Sequence, residues 1–264
     1  MARLSISRAW DETRAVLARD GKLIATVALA LLFLPGVVAD VVAPAKDDGG
    51  LPSVSPWSLL FVAAMIIGLV GQIAIIRLSL GARLSVGEAI SDGARRMPPY
   101  LVATLIWLGP LLAASYLAAR PMMENPEQAP PAAALALLVL MIAMIFIAVR
   151  MLMTTPVASS ENLSPLAILR RSWALTRGHW WRLFGFFLLY ILAVLIVLGA
   201  VGEIAGLIAE LALGDIEPMS LAALLVAIFT QGATAVASTV FAVMLARIYV
   251  QLASPPATVP TSGT

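Results

Sequence analysis

Residues 164–208 read SPLAILRRSWALTRGHWWRLFGFFLLYILAVLIVLGAVGEIAGLI. From Leu183 to about Ile208 the only charged side chain is Glu203. A helix needs roughly 20 apolar residues to cross the hydrocarbon core of a bilayer, and this run is long enough. The residues just before it are of another kind. Ser164 and Pro165 form an N-cap followed by proline at the first helical position. Leu166, Leu169, Trp173 and Thr176 then recur at helical spacing, with Arg170 and Arg177 flanking that stripe and Arg171 further round. Such a helix can lie in the membrane interface, apolar face down and arginines among lipid phosphates. Trp180 and Trp181 stand at the junction, where an interfacial aromatic belt is expected.

The same alternation extends outward over the chain. Five more apolar runs are long enough to span: about Leu23–Ala43, Trp57–Leu80, Tyr100–Leu117, Ala132–Pro156 and about Leu221–Leu252. The last exceeds one crossing and is expected to tilt or project past the interface. Composition agrees, with 61% of the 264 residues hydrophobic and 12% charged, against about 25% charged in a soluble domain. The first run reads as an uncleaved span. A stretch of 22 residues containing Asp11, Glu12 and Asp20 precedes it, whereas a secretory signal has a short basic leader and a short apolar core. The expected class is all-α: an integral membrane bundle of six transmembrane helices with three short amphipathic interfacial helices. One membrane domain is expected over residues 1–252 and a disordered tail over residues 253–264.

Lysine and arginine near helix ends set the orientation. One side receives Arg3, Arg8, Arg14, Arg19, Lys22, Arg77, Arg83, Arg95, Arg96, Arg150, Arg170, Arg171, Arg177, Arg182 and Arg247. The other receives only Lys46 and Arg120. Fifteen against two assigns the first side, and both termini, to the cytoplasm. The expected location is a bacterial inner membrane.

Three segments on the arginine side begin alike: Leu4-Ser5-Ile6, Leu84-Ser85-Val86 and Leu163-Ser164-Pro165, spaced by 80 and then 79 residues. Each opens a polar-apolar segment that leads into a span, and each span is followed by a return span. The return spans carry Arg77, Arg150 and Arg247 towards their arginine-side ends. The chain therefore reads as a threefold internal repeat, with units at about 1–81, 82–160 and 161–252. Ser85 with Glu88 forms a capping box. Val86, Ala89, Ile90, Gly93 and Met97 share a face in the second segment, and Ile6, Trp10, Thr13 and Leu17 in the first. Pro98-Pro99 is expected to limit the second, because the residue before a proline avoids the helical region.

The stretch from Arg171 to Trp181, Arg-Ser-Trp-Ala-Leu-Thr-Arg-Gly-His-Trp-Trp, resembles the Arg-Ser-Trp-x-Leu-Thr-x-Gly-x-x-Trp signature of the family named for the membrane domain of glycerophosphoryl diester phosphodiesterases. Ser5 to Gly21 also resembles that family's N-terminus. The resemblance implies a membrane topology and a lipid context. It does not imply phosphodiesterase activity, because the hydrolase of fused members is a separate barrel using paired histidines and carboxylates, and this chain has the single histidine His179.

The chemical inventory is correspondingly poor. Cysteine is absent, which excludes disulfides, thiolate metal sites and cysteine nucleophiles. No phosphate-binding loop, dinucleotide fingerprint or zinc motif occurs, so no catalytic residue, metal or cofactor is expected. Ionisable groups within spans are functional candidates by default. Arg77, Arg150 and Arg247, together with Arg170, Arg171, Trp173 and Arg177, are candidates for a lipid headgroup or an internal cavity. Gln72, Glu203 and Gln231 are the candidate polar groups inside the membrane. The leading reading is a non-enzymatic membrane protein that interacts with lipids, anionic ones in particular, or supports envelope homeostasis, with no role in nucleic-acid binding. A small transporter or permease-like subunit comes second and a membrane-embedded enzyme third. Because the chain lacks cysteine, single cysteines at positions 178 and 264 give a clean test of topology. A membrane-impermeant maleimide is expected to reach both from the same face, and labelling from opposite faces would undo the scheme.

Overall fold

The computed structural model describes residues 4–42, 56–81, 84–124 and 130–253. Among these residues every regular element is helical. α1 (Ile6–Ala28) passes through a π-helical turn at Leu29–Phe33 into α2 (Leu34–Val42). Then follow α3 (Pro56–Ser79), α4 (Val86–Glu124), α5 (Pro131–Met151), α6 (Thr154–Ser160), α7 (Pro165–Thr176), α8 (Trp180–Leu213) and α9 (Leu221–Ala253). Six helices are long and apolar enough to cross a membrane: Ile6–Val41, Ser58–Ser79, Val86–Glu124, Pro131–Ser160, Trp180–Leu213 and Leu221–Ala253. The connection bearing Lys46, the positions of Arg3 and Arg83, and the tail from 254 onward lie outside the described residues.

The three short helices expected on the arginine side are not all separate. α1 and α4 each run without a break from the polar segment into the span. α4 begins with the capping box, in which Ser85 N–H donates to Glu88 Oε2 at 2.7 Å and Glu88 N–H donates to Ser85 Oγ at 3.3 Å. Pro98 and Pro99 lie inside α4 and do not end it. Proline removes the donors that would meet the carbonyls of Ala94 and Arg95. Both of those residues are exposed, so water or headgroups can satisfy the freed carbonyls. Only α7 is a short helix of its own. Gly178 adopts φ +85° just beyond it, a left-handed conformation that glycine enters without a Cβ clash.

The π turn also has a local cause. Pro35 would press its ring on the carbonyl of Leu31 in a regular α-helix, and the wider i→i+5 spacing relieves that contact. Leu34 N–H accordingly donates to Leu29 O. The bulkier turn is accommodated by Gly71 of α3, where a Cβ would stand 2.8 Å from Leu31 Cβ.

Packing is concentrated at the arginine-bearing end. One buried cluster joins Val149, Met153 and Val157, Ile168 and Leu175 of α7, Leu183, and Met244, Leu245 and Ile248 of α9. A second joins Val16, Ile24 and Val27 of α1, Ala74 to Ile76 of α3, Ala89, and Ala242, Val243 and Ala246 of α9. α9 thus contributes opposite faces to both. Towards the other end the helices present their apolar side chains outward, as with Phe61, Leu135, Leu195 and Leu211, which suits hydrocarbon and not water.

The three segments that open with Ser5, Ser85 and Ser164 rest on neighbouring return spans; Ser164 stands at the N-cap position of α7 without a side-chain capping bond. Thr13 Oγ1 of α1 lies 3.5 Å from Met244 Sδ of α9. Gly93 of α4 lies against α3, where a Cβ would stand 2.8 Å from Val70 O. Ser172 Oγ of α7 donates to Arg150 O of α5 at 2.8 Å. The Gly93 contact is the least forgiving, because backbone faces the missing side chain. Gly93→Val is expected to destabilise by about 1–3 kcal/mol through overpacking, read as a lower thermal midpoint in detergent. Gly87→Ala, with open space around it, is expected to leave the midpoint unchanged or slightly raised.

Candidate functional site at the arginine-bearing end

Helix C-termini leave carbonyls without intrahelical donors. At this end of the molecule, side chains from other elements supply them. Arg247 Nη2 donates to the carbonyl of Ser79, the last residue of α3. Arg96 Nη1 donates to Ala158 O at 3.2 Å and Glu161 O at 3.1 Å, closing the end of α6. Ser172 Oγ donates to Arg150 O at 2.8 Å, and Thr176 Oγ1, which donates to Ser172 O at 3.0 Å within α7, lies 3.3 Å from the same carbonyl.

These bonds set which face of α7 packs against the bundle. Its buried residues are Ile168, Ser172, Leu175 and Thr176, whereas Leu166 and Trp173 are exposed. The hydroxyl of Ser172 turns inward because a helix-end carbonyl awaits it. Leu166 and Trp173 turn outward beside Arg170 and Arg177, which are also exposed. Trp10 of α1 is likewise exposed, while Ala9, Thr13 and Val16 face inward.

The three return-span arginines have different partners. Arg77 Nη2 pairs with Asp92 Oδ2 at 2.6 Å. Arg247 is held by the Ser79 carbonyl. Arg150 forms no ion pair among the described residues. Its guanidinium carbon lies 5.0 Å from the Trp173 ring centre and 5.5 Å from that of Phe146. Nε and Nη1 of Arg150 are buried with no hydrogen-bond acceptor. Cation–π contact contributes about 0.5–2 kcal/mol per pair, while each unsatisfied buried donor costs about 1–3 kcal/mol, more when charged. The two rings therefore leave Arg150 short of full compensation. Trp173 and Phe146 belong to a larger aromatic group: Trp180 stacks on Phe184 at 5.0 Å, and Trp181 meets Trp180 edge-on at 4.7 Å. Trp180 Nε1 donates to Phe146 O at 3.3 Å.

Arg171 leaves this outward surface. Its Nε donates to Glu161 Oε1 at 3.0 Å, and Tyr249 OH donates to the same oxygen at 2.7 Å. Glu161 thereby joins α7 to α9, and its backbone joins both to α4 through Arg96. Glu161, Asp92, Arg96, Tyr249 and Phe146 were not among the sequence candidates. Phe146 alone carried a signal, since it precedes Arg150 by one helical turn.

The polar membrane candidates do not converge. Gln231 Nε2 of α9 donates to Asp40 Oδ2 of α2 at 2.6 Å, beside a groove of about 260 Å³ that Thr234 and Ser238 also line. Gln72 is half-buried on α3, and Glu203 is exposed on α8. Glu203 stands 23 residues beyond Trp180, roughly 34 Å along the helix and far from the arginine-bearing end.

Six spanning helices knit together at an arginine-bearing end define a multi-pass helical membrane protein. The chain belongs to the family described as "Domain of unknown function (DUF7847)", whose model matches residues 4–252. No curated protein and no solved structure matches it.

The Glu161 junction is open to test. Glu161→Ala is expected to lower stability by about 1–3 kcal/mol, the Arg171 pair contributing little because it is partly solvated. Tyr249→Phe is expected to reproduce most of that loss. Thermal unfolding in detergent measures both.

Proposed function

We propose that this chain is a non-enzymatic membrane protein that holds anionic lipid at its arginine-bearing end and so serves lipid interaction or envelope homeostasis. The observation that carries the reading is the outward face of α7, where Leu166, Arg170, Trp173 and Arg177 are all exposed. These four lie on one helical face by their spacing. Apolar and aromatic groups interleaved with cations suit the boundary between headgroups and acyl chains. α7 is then an interfacial helix, and the starts of α1 and α4 are its counterparts in a threefold repeat.

The lysine and arginine bias orients this end, with both termini, towards the cytoplasm of a bacterial inner membrane. The cytoplasmic leaflet carries the negative surface potential that attracts such residues, at about 1 kcal/mol each. The likeness of Arg171 to Trp181 to the membrane domain of glycerophosphoryl diester phosphodiesterases supports a lipid context. The hydrolase in those proteins relies on paired histidines, and this chain contains one histidine, which favours a non-catalytic role.

The test uses the full chain in nanodiscs of mixed phosphatidylglycerol and phosphatidylcholine, with retained lipids counted by native mass spectrometry. Arg170→Gln with Arg177→Gln removes two charges. The preference for phosphatidylglycerol is expected to fall by about tenfold or more, as two charges at about 1 kcal/mol each require. An unchanged preference in the folded double variant would reject the reading.

A further inference from the structure

The three segments that open with Ser5, Ser85 and Ser164 share more than their opening residues. Counted from Ser5, Ser85 and Ser164, the fourth residue is Ala9, Ala89 or Ile168, and the eighth is Thr13, Gly93 or Ser172. All six are buried. At the eighth position α1 meets α9, α4 meets α3 and α7 meets α5. Each segment thus rests on the return span of the preceding unit, and the first rests on the last. Head-to-tail contacts that return to their start make a closed ring. Arg247, Arg77 and Arg150 stand on the three return spans beside these contacts.

The ring provides an internal comparison at the seventh residue after each serine. In the first segment that residue is Glu12, whose carboxylate pairs with Arg8 at 2.8 Å, while Arg247 is held by the Ser79 carbonyl. In the second it is Asp92, paired with Arg77 at 2.6 Å. In the third it is Arg171, which turns away to Glu161. Arg77 therefore has an acid on the segment that rests on it and Arg247 a helix-end carbonyl, whereas Arg150 has a cation in that place. Trp173 and Phe146 are each 41% exposed, so Arg150 stands at the lipid-facing rim of the bundle and not at its centre.

Resting on the lipid reading above, we infer that Arg150, framed by Trp173 and Phe146, seats one phosphate-bearing lipid headgroup in the position that Asp92 fills beside Arg77. Nε and Nη1 of Arg150 are covered, so the headgroup enters as the half-exposed Trp173 swings aside; arginine then suits the task because its planar fork matches phosphate oxygens while its faces stack on aromatic rings. The exposed Leu166 beside Trp173 favours a phosphate attached to acyl chains over a free anion.

The experiment compares single variants of the full chain in the same mixed nanodiscs. Arg150→Gln is expected to lose the most tightly held phosphatidylglycerol adduct by at least tenfold. Arg77→Gln and Arg247→Gln, whose charges are engaged within the protein, are expected to retain it. Arg150→Lys keeps a charge without the fork and is expected to bind at least threefold more weakly, which supplies the reading if Arg150→Gln does not fold. Adducts on Arg150→Lys equal to wild type, or equal losses across all three arginines, would overturn the inference. Displacement of the adduct by millimolar inorganic phosphate would assign the seat to a free anion and overturn the headgroup. Loss in the Arg170 and Arg177 double variant alone would remove the Arg150 seat and leave the broader lipid reading standing. A wild type indifferent to phosphatidylglycerol would remove that broader reading itself.

Discussion

A helix that stops inside or beside a membrane leaves carbonyls that must find donors, because hydrocarbon supplies none. In this chain the donors come from segments far away in sequence. Arg247 serves the end of α3, Arg96 the end of α6, and Ser172 the last turn of α5. These bonds are what bring the return spans together with the segments that rest on them. They also explain why the buried clusters gather at one end of the bundle.

Six spans and the arginine bias were legible in the sequence because both depend on properties summed over many residues. A run such as Leu183–Ile208 crosses a membrane whatever its neighbours do. The continuity of α4 was not legible, because Pro98 and Pro99 are strong local stop signals. Their effect is blunted by the exposure of Ala94 and Arg95, a tertiary fact. The inward face of α7 was only partly legible for a related reason. Apolar spacing put Thr176 on the membrane-facing stripe with Leu166 and Trp173, but Thr176 is buried beside Ser172, because the carbonyl of Arg150 needs the Ser172 hydroxyl. Polarity is the better guide to the inward face here.

The candidate site was partly legible. Arg150, Arg170, Trp173 and Arg177 were singled out by residue type and place, and the fold puts Arg150 against Trp173. What single-residue reasoning missed was pairing. Arg77 and Arg150 look alike in sequence, each in the last turn of a return span, yet one has Asp92 and the other has two rings. Such a difference emerges only when the resting segments are aligned on their opening serines. Glu161 was passed over because it lies in a short connection, where a carboxylate is normally solvated, and nothing local announces Arg171 and Tyr249 around it.

The widened turn at Leu29–Phe33 has a further consequence for the first span. Each residue of an α-helix advances the side chains by about 100°, so one added residue works as a phase shift between the two halves of a rod. Below the turn, Ile24 and Val27 point into the bundle; above it, Asp40 points at Gln231. Neither aim is independent of the other. The irregular turn acts as a gear between them, so a single-residue change in length there would swing the upper half of the rod away from α9 while leaving every apolar residue apolar. Hydropathy would register nothing, and the Asp40 pairing would be lost.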